Sequence, residues 1–449
     1  LDLIKKTKKH LSLFHSRHPK AGIVFKGFGY LFSERILKFI IGFFVHAFVA
    51  RYLGPGDFGK LSYILKTVNV FYTFSLFGVD EIILNYLLKG KYDRGDILKT
   101  AFTLRIWASI IGLIILALFL IIFQTERDKF TMLTLLYGMQ IIIQSLNLFE
   151  LDFHSRLDFK PIFWASNAST IIASSLRVFG VFAQLGISFF VGTYIIGELV
   201  IKTILQWRLG FKAFRGRFIP SLGRDIVHAS LPSFFSAFVV LLDQRISFFF
   251  IEKYLSFEQL GNYSVAVTLV DLWMFFPAAI CSAFFPTIIT SFNGNKEAYR
   301  IRIQVLADII IWFAFIFSVS IFLFADYIIE LLYGSRYLTA PDAIRFYALV
   351  TFPLFFNLVR TKWMALENNL KDWFWISLVS LILNIAGHIF LVPRFGFKGA
   401  IGSFLVAQLL SNLLSAIFLV SVRNAITIFL RSLWLPYRLI KQFIIINKS

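Results

Sequence analysis

Charged side chains recur at helical spacing inside stretches of this chain that are otherwise apolar. Arg35, Lys38, Gly42 and His46 follow one another at steps of three and four, with Glu34 beside them. The same spacing links Ser62, Lys66, Asn69, Thr73 and Asp80, and again Asn167, Thr170, Ser174 and Arg177. Later stripes are Ser233, Ser236, Asp243 and Ser247 with Arg245 nearby, then Ser264, Thr268 and Asp271, then Ser377, Ser380, Asn384 and His388. Such steps place side chains on one face of a helix. A series of cations in apolar surroundings suits an anionic substrate. A carboxylate there is costly unless a proton or a cation compensates it, so Asp243 and Asp271, with Asp308, are candidate H⁺ or Na⁺ sites. Simpler readings stand beside these. Polar stripes also serve as packing contacts between membrane helices, Glu34 could do no more than neutralise Lys38, and Asp243 could pair with Arg245 or another cation. Lys202 and Arg105 fit snorkelling side chains, and His46 and His388 fit packing or hydrogen-bonding roles better than metal ligation. A set of five cations in the N-terminal half, Arg35, Lys38, Lys66, Arg105 and Arg177, is harder to explain as unrelated accidents.

The elements that must position these groups are membrane helices. Of 449 residues, 58% are hydrophobic and 18% aromatic, with a mean hydropathy of +0.75. Only 16% are charged, too few to cover the surface of a soluble protein of this length. A span needs about 20 mostly apolar residues, and twelve such stretches are expected between residues 31 and 422. The organisation expected from them is a basic N-terminal segment (1–30), a six-helix bundle (31–207), a basic linker (208–225), a second six-helix bundle (226–422) and a tail (423–449) suited to the membrane interface. The first apolar run is too long for a cleavable signal and lacks a small-residue cleavage pattern, so it reads as the first span. The chain opens on Leu1, which fits either a non-standard start or a slight truncation. With the N-terminus inside, the cytoplasmic segments carry 29 of the 45 Lys and Arg residues and the outer connections 9. That bias puts both termini in the cytoplasm. It also accounts for the net charge of +20 without nucleic acid as a partner. The lone Cys281 cannot form an internal disulfide, and no Cys/His spacing suggests a metal site.

Two segments repeat. RYLGPGDFGKLS (51–62) and KYLSFEQLGNYS (253–264) share Tyr52, Leu53, Gly59 and Ser62 with Tyr254, Leu255, Gly261 and Ser264. A weaker echo pairs Gly186 and Gly192 with Gly396 and Gly402. Two halves in the same orientation, related by a pseudo-two-fold axis along the membrane normal, are expected, with a substrate site between them. GPGDFG (54–59) matches GxGxxG formally, and with Lys60 it resembles a nucleotide-binding loop. That loop requires a strand before it and a Ser or Thr where Leu61 stands, so a turn between helices is the expected structure.

ARYLGPGDFGKLSY (50–63), LLDQRISFFFIEKYLSFEQLGNYSVA (241–266), IIELLYGSRYLTAPDAIRFYAL (328–349) and LVPRFGFKGAIGS (391–403) together resemble the polysaccharide flippases that export O-antigen, capsule and related repeat units. These belong to the superfamily that also holds the multidrug-and-toxin exporters and the lipid II flippases. The resemblance implies an all-α polytopic protein of two six-helix bundles around a V-shaped central cavity, in the cytoplasmic membrane of a bacterium or archaeon. It implies a polyprenyl-diphosphate-linked oligosaccharide as substrate, moved from the cytoplasmic to the outer leaflet by alternating access, alongside other polysaccharide assembly proteins. Arg35, Lys38, Lys66, Asn69, Arg177, Arg245 and Asn384 are then the candidate diphosphate and sugar ligands. No cofactor is implied beyond Na⁺ or H⁺ coupling through Asp243 or Asp271, and no catalytic residue. Two alternatives remain: a cation-coupled multidrug exporter, which would prefer an acidic N-terminal cavity, and a membrane polysaccharide polymerase, which would need a substantial outer loop.

Overall fold

The computed structural model describes residues 19–123, 129–210, 215–292, 294–367 and 369–435, and these are helices and short turns with no strand among them. In chain order the helices are α1 Pro19–Leu76, α2 Asp80–Lys89, α3 Arg94–Phe123, α4 Lys129–Gly138, α5 Gln140–Ile143, α6 Leu148–Ser155, α7 Lys160–Phe182 and α8 Ile187–Leu209. Then follow α9 Pro220–Tyr254, α10 Phe257–Trp273, α11 Phe275–Phe292, α12 Lys296–Tyr333, α13 Ala340–Ala348, α14 Thr351–Leu366, α15 Leu370–Phe418 and α16 Val420–Leu433. Eight helical stretches among the described residues are long and apolar enough to cross a membrane, or nine if the bent pair α13 and α14 counts as one span. The protein is therefore a multi-pass membrane protein. Side chains such as Ile122 (71% exposed), Phe322 and Leu323 turn outward, as a bilayer-facing surface requires.

At 1.5 Å per residue, the 58 residues of α1 extend about 85 Å, far beyond the ~30 Å hydrocarbon core. The helix breaks once, at Gly54, whose φ of 72° and ψ of 173° are open to glycine and strained for other residues. Pro55 then opens the following segment with its φ preset for a helix. The 49-residue α15 breaks in the same way at Gly396. The repeated segment places its second break at the position matching Gly54, where Ser256 is extended and accepts the Gln259 amide to cap α10. GPGDFG is thus a helix break, as its setting predicts. Two expected spans differ in form. Residues 161–184 form α7, which lies outside the eight because Ser166, Asn167 and Ser174 dilute its apolar character; all three are buried. Residues 343–366 are bent by 43° between α13 and α14.

By internal contacts the chain divides into two compact units. One holds the described residues up to Val49 together with Phe71–Phe234, and the other holds Ala50–Val70 together with the described residues from Phe235 onward. The first has two apolar centres, around Val79, Ile83, Ile97, Leu148 and Ile226 and around Phe149, Phe153, Ile162, Ile201 and Leu205. The cations of its connections are partly tied down: Arg94 and Arg156 both pair with Asp152, which is fully buried.

In the second unit, α1 and α10 cross at the repeated glycines. A Cβ on Gly261 would lie 1.9 Å from the Pro55 carbonyl oxygen, and one on Gly59 would lie 1.9 Å from that of Phe257. Only glycine lets the two backbones approach so closely. The break at Gly54 leaves helix-terminal carbonyls without partners, and the loop after α12 supplies them. Arg336 donates to the carbonyls of Arg51 and Tyr52, and the Tyr337 hydroxyl to that of Ala50 at 2.6 Å. Arg51 in return donates to the Leu331 carbonyl near the end of α12. Burial pushes the Tyr337 phenol pKa up, so it stays a hydrogen-bond donor. The tail helix α16 is held to α12 by Gln304, which donates to Ser432 Oγ and the Ile428 carbonyl, and by Trp312, which donates to the Ser432 carbonyl. Residues 436–449 of the expected tail and 1–18 of the basic N-terminus lie outside the described residues.

Candidate functional site

Lys66, Arg245 and Asp271 come together in the second unit. Lys66 Nζ lies 3.3 Å and Arg245 Nη1 3.0 Å from the same oxygen, Asp271 Oδ2. The three stand on α1, α9 and α10, so one carboxylate gathers cations from two other helices. All are partly covered, with side-chain exposures of 23%, 13% and 32%. The Arg245 Nε has no hydrogen-bond partner among the described residues. Asn69 is half-buried one turn beyond Lys66. The centre has two positive charges against one negative.

Asp243 and Asn384 form a second centre in the same unit. The Asn384 amide donates to Asp243 Oδ1 at 2.8 Å, and to the Asp243 carbonyl. Ser380 Oγ and Gln408 Nε2 donate to Asp243 Oδ2 at 3.0 and 2.9 Å. Three neutral donors therefore hold a carboxylate that is 3% exposed, and among the described residues no cation pairs with it. The pairing with Arg245 left open by the sequence does not form. His388 continues the stripe, with its ring nitrogens against the Asn384 carbonyl and Ser247 Oγ, the hydrogen-bonding role expected of it.

The remaining candidates lie in the first unit. Lys38 pairs with Glu34 at 2.8 Å, one helical turn away, and Glu34 also accepts a hydrogen bond from Ser166. Lys38 is 43% exposed at the side chain, and Arg35 is exposed on the same helix. Arg177 donates through Nε to Thr193 Oγ1 at 3.1 Å and stacks its guanidinium 3.8 Å from the centroid of the Tyr194 ring. Arg35, Lys38 and Arg177 thus belong to the first unit, and the two centres described above belong to the second.

Two cations expected to snorkel do not. Arg105 is fully buried and pairs with Asp80. Lys202 is 4% exposed and donates to Asn147, with Glu198 at 3.7 Å. Each has found a partner inside the unit, which removes the cost that drives a side chain toward the interface. Ser380 and Gln408 were not among the sequence candidates. Ser380 belonged to a recognised stripe, and Gln408 with Ser411 and Asn412 forms another at helical spacing that marks the facing element.

Comparison with solved structures finds the same multi-pass α-helical fold in membrane transporters. The lipid II flippase MurJ in an inward closed conformation matches with a TM-score of 0.70 at 14% identity, covering 91% of each chain. A multidrug resistance MATE family transporter of the MOP superfamily, inward-facing, matches at 0.64 and 13% identity, covering 87% of this chain and 96% of that one. A MOP superfamily transporter from Pyrococcus furiosus matches at 0.59 and 12% identity, covering 89% and 96%. At these identities the likeness concerns the fold. Among curated proteins none matches by sequence. The family model described as polysaccharide biosynthesis protein matches residues 48–342, well over half of the chain, and the chain belongs to that family.

Proposed function

We propose that this protein is a flippase that turns polyprenyl-diphosphate-linked oligosaccharide repeat units from the cytoplasmic to the outer leaflet, for assembly of a surface polysaccharide. It works in a bacterial or archaeal cytoplasmic membrane, with both termini inside. The observation that carries this reading is the Lys66–Asp271–Arg245 centre in a chain of the polysaccharide biosynthesis family. The two cations are fixed by different helices and share one carboxylate. A diphosphate, with more charge and more acceptor oxygens than Asp271, competes for both, since charge-assisted hydrogen bonds to phosphate are among the stronger polar contacts. Asp271 then acts as the internal counter-charge that re-forms its pairs when the substrate leaves. This keeps the site from holding its ligand too tightly, as turnover demands.

Beside Lys66, Asn69 supplies a polar contact of the kind sugar rings require; within the first unit, Arg177 with its Tyr194 face, Arg35 and Lys38 are further candidate contacts for the substrate. Asp243, held by neutral donors alone, is the stronger candidate for coupling to H⁺ or Na⁺, and Asp271 the weaker because two protein cations already compensate it. The lipid tail stays in the bilayer while the diphosphate and sugars pass through the protein, and conformational alternation exposes the site to each side in turn.

The test is transport in vesicles containing the purified protein and a fluorescent polyprenyl-diphosphate saccharide, with leaflet sidedness read by a membrane-impermeant quencher. Protein-dependent loss of protection supports flipping. Transport of organic cations with no movement of the lipid-linked saccharide would instead favour a multidrug exporter.

A further inference from the structure

Beside the Asp243 centre, on the wall of the same cavity, stands an arginine that plays no part in the scheme above. Arg360, on α14, is 2% exposed and lines a cavity of about 310 Å³ with Asn357, Thr361, Trp373, Ser377 and Gln408. Its guanidinium stacks 4.8 Å from the centroid of the Trp373 ring, and Nη1 donates to Asn412 Oδ1. Its Nε has no hydrogen-bond partner, and no carboxylate pairs with it among the described residues. The carboxylate on the cavity wall, Asp243, is already occupied by Ser380, Asn384 and Gln408. A buried arginine without a counter-charge is expensive unless a ligand supplies one. Membrane-end cations normally avoid that cost by reaching water, which Arg360, at 2% exposure, does not do.

We propose that this cavity is an anion subsite whose ligand is a lipid-borne phosphate or diphosphate group, bound by Arg360. The reasoning is chemical. The planar guanidinium offers donors in a fork that matches phosphoryl oxygens, and Trp373 fixes its plane. Asn357 donates to Gln408 Oε1 at 3.2 Å and Thr361 donates to the Asn357 carbonyl, so the walls are ordered before a ligand arrives. A volume of this size suits a headgroup and excludes a folded partner. The site stands on its own geometry, independent of the flippase reading.

Binding tests it without transport. The purified protein is titrated with farnesyl diphosphate, which carries the diphosphate and no sugar, and separately with phosphatidylglycerol, with phosphatidylcholine as reference; native mass spectrometry counts bound molecules. Arg360→Met keeps the bulk and removes the charge, and it is expected to weaken one class of bound anion by tenfold or more. Arg360→Lys keeps the charge but loses the fork and the stacking, and it is expected to weaken the same class severalfold. Loss confined to farnesyl diphosphate identifies the lipid-diphosphate source, and loss confined to phosphatidylglycerol identifies the bilayer headgroup. Either supports the subsite. Unchanged binding of both anions in folded Arg360→Met overturns it, and if that variant does not fold, unchanged binding in Arg360→Lys does so. Failure here leaves flipping untouched, and failure of the vesicle assay leaves this site untouched.

Discussion

At the residue scale, partner choice decides which ionisable groups are free for function. Asp243 and Arg245 are neighbours in sequence, but positions i and i+2 on a helix point in different directions. Asp243 accordingly meets Ser380, Asn384 and Gln408, while Arg245 reaches Asp271. This gives the two carboxylates different tests. Asp243→Asn is expected to abolish the H⁺ or Na⁺ dependence of transport while leaving substrate binding intact, as measured by flipping rate across pH and Na⁺ series. Asp271→Asn removes the competitor of the substrate, so KM and kcat are both expected to fall, with the ion response retained. An ion response lost in Asp271→Asn and kept in Asp243→Asn would reverse the assignment. Lys66→Ala and Arg245→Ala each remove one charge-assisted contact, worth about 1.5–3 kcal/mol. Each is expected to reduce transport by roughly tenfold or more at constant protein abundance in the membrane, checked by immunoblot beside the flipping assay. The sequence made the stripes legible because helical spacing alone puts such groups on one face. It did not make the pairs legible, because Lys66 and Asp271 are joined only by how α1 meets α10. Arg360 escaped for a related reason: with Lys362 at the end of a span it counts as one more cytoplasmic cation, and only its burial sets it apart.

At the scale of elements, the glycine-containing repeat does two jobs. Its sequence predicts a turn between helices, and in the structure it is a break at Gly54 with an immediate helix restart. What the sequence could not show is that the two copies of the repeat, 202 residues apart, pack on each other through Gly59 and Gly261. A side chain at either position has no space, and the blocking atoms are backbone carbonyls, which cannot swing aside. Gly261→Ala is expected to part the crossing and cost about 1–3 kcal/mol, the usual range for overpacking. Gly42→Ala, where nothing lies within 4 Å, is expected to raise stability by about 0.5–1 kcal/mol, the gain of alanine over glycine inside a helix. Thermal unfolding in detergent checks the pair, and equal melting temperatures for the two variants would contradict the close crossing. The α7 helix shows the opposite limit of sequence reading. Its polar residues lower its hydropathy, yet they are buried against protein, so the stripe inside this apolar stretch marks a packed face.

At the scale of the whole molecule, composition settled the class at once, since a chain with 58% hydrophobic residues and few charges has no soluble solution. The number of crossings was less accessible, because α1 and α15 each run as one long helix through a single-residue break. The division of labour was least accessible of all. Residues 50–70, early in the sequence, belong by contacts to the unit built from Phe235 onward, which is why Lys66 finds its partners on α9 and α10. The account's central claim concerns net movement of a lipid-linked saccharide, and one measurement addresses it most directly. In cells lacking the gene, the complete repeat unit on its polyprenyl diphosphate is quantified by mass spectrometry, and its leaflet is read by accessibility to an externally added glycosidase or label. The account predicts that the intermediate builds up facing the cytoplasm and that the surface polymer is lost. Build-up facing outward would contradict it and indicate a defect in polymerisation instead.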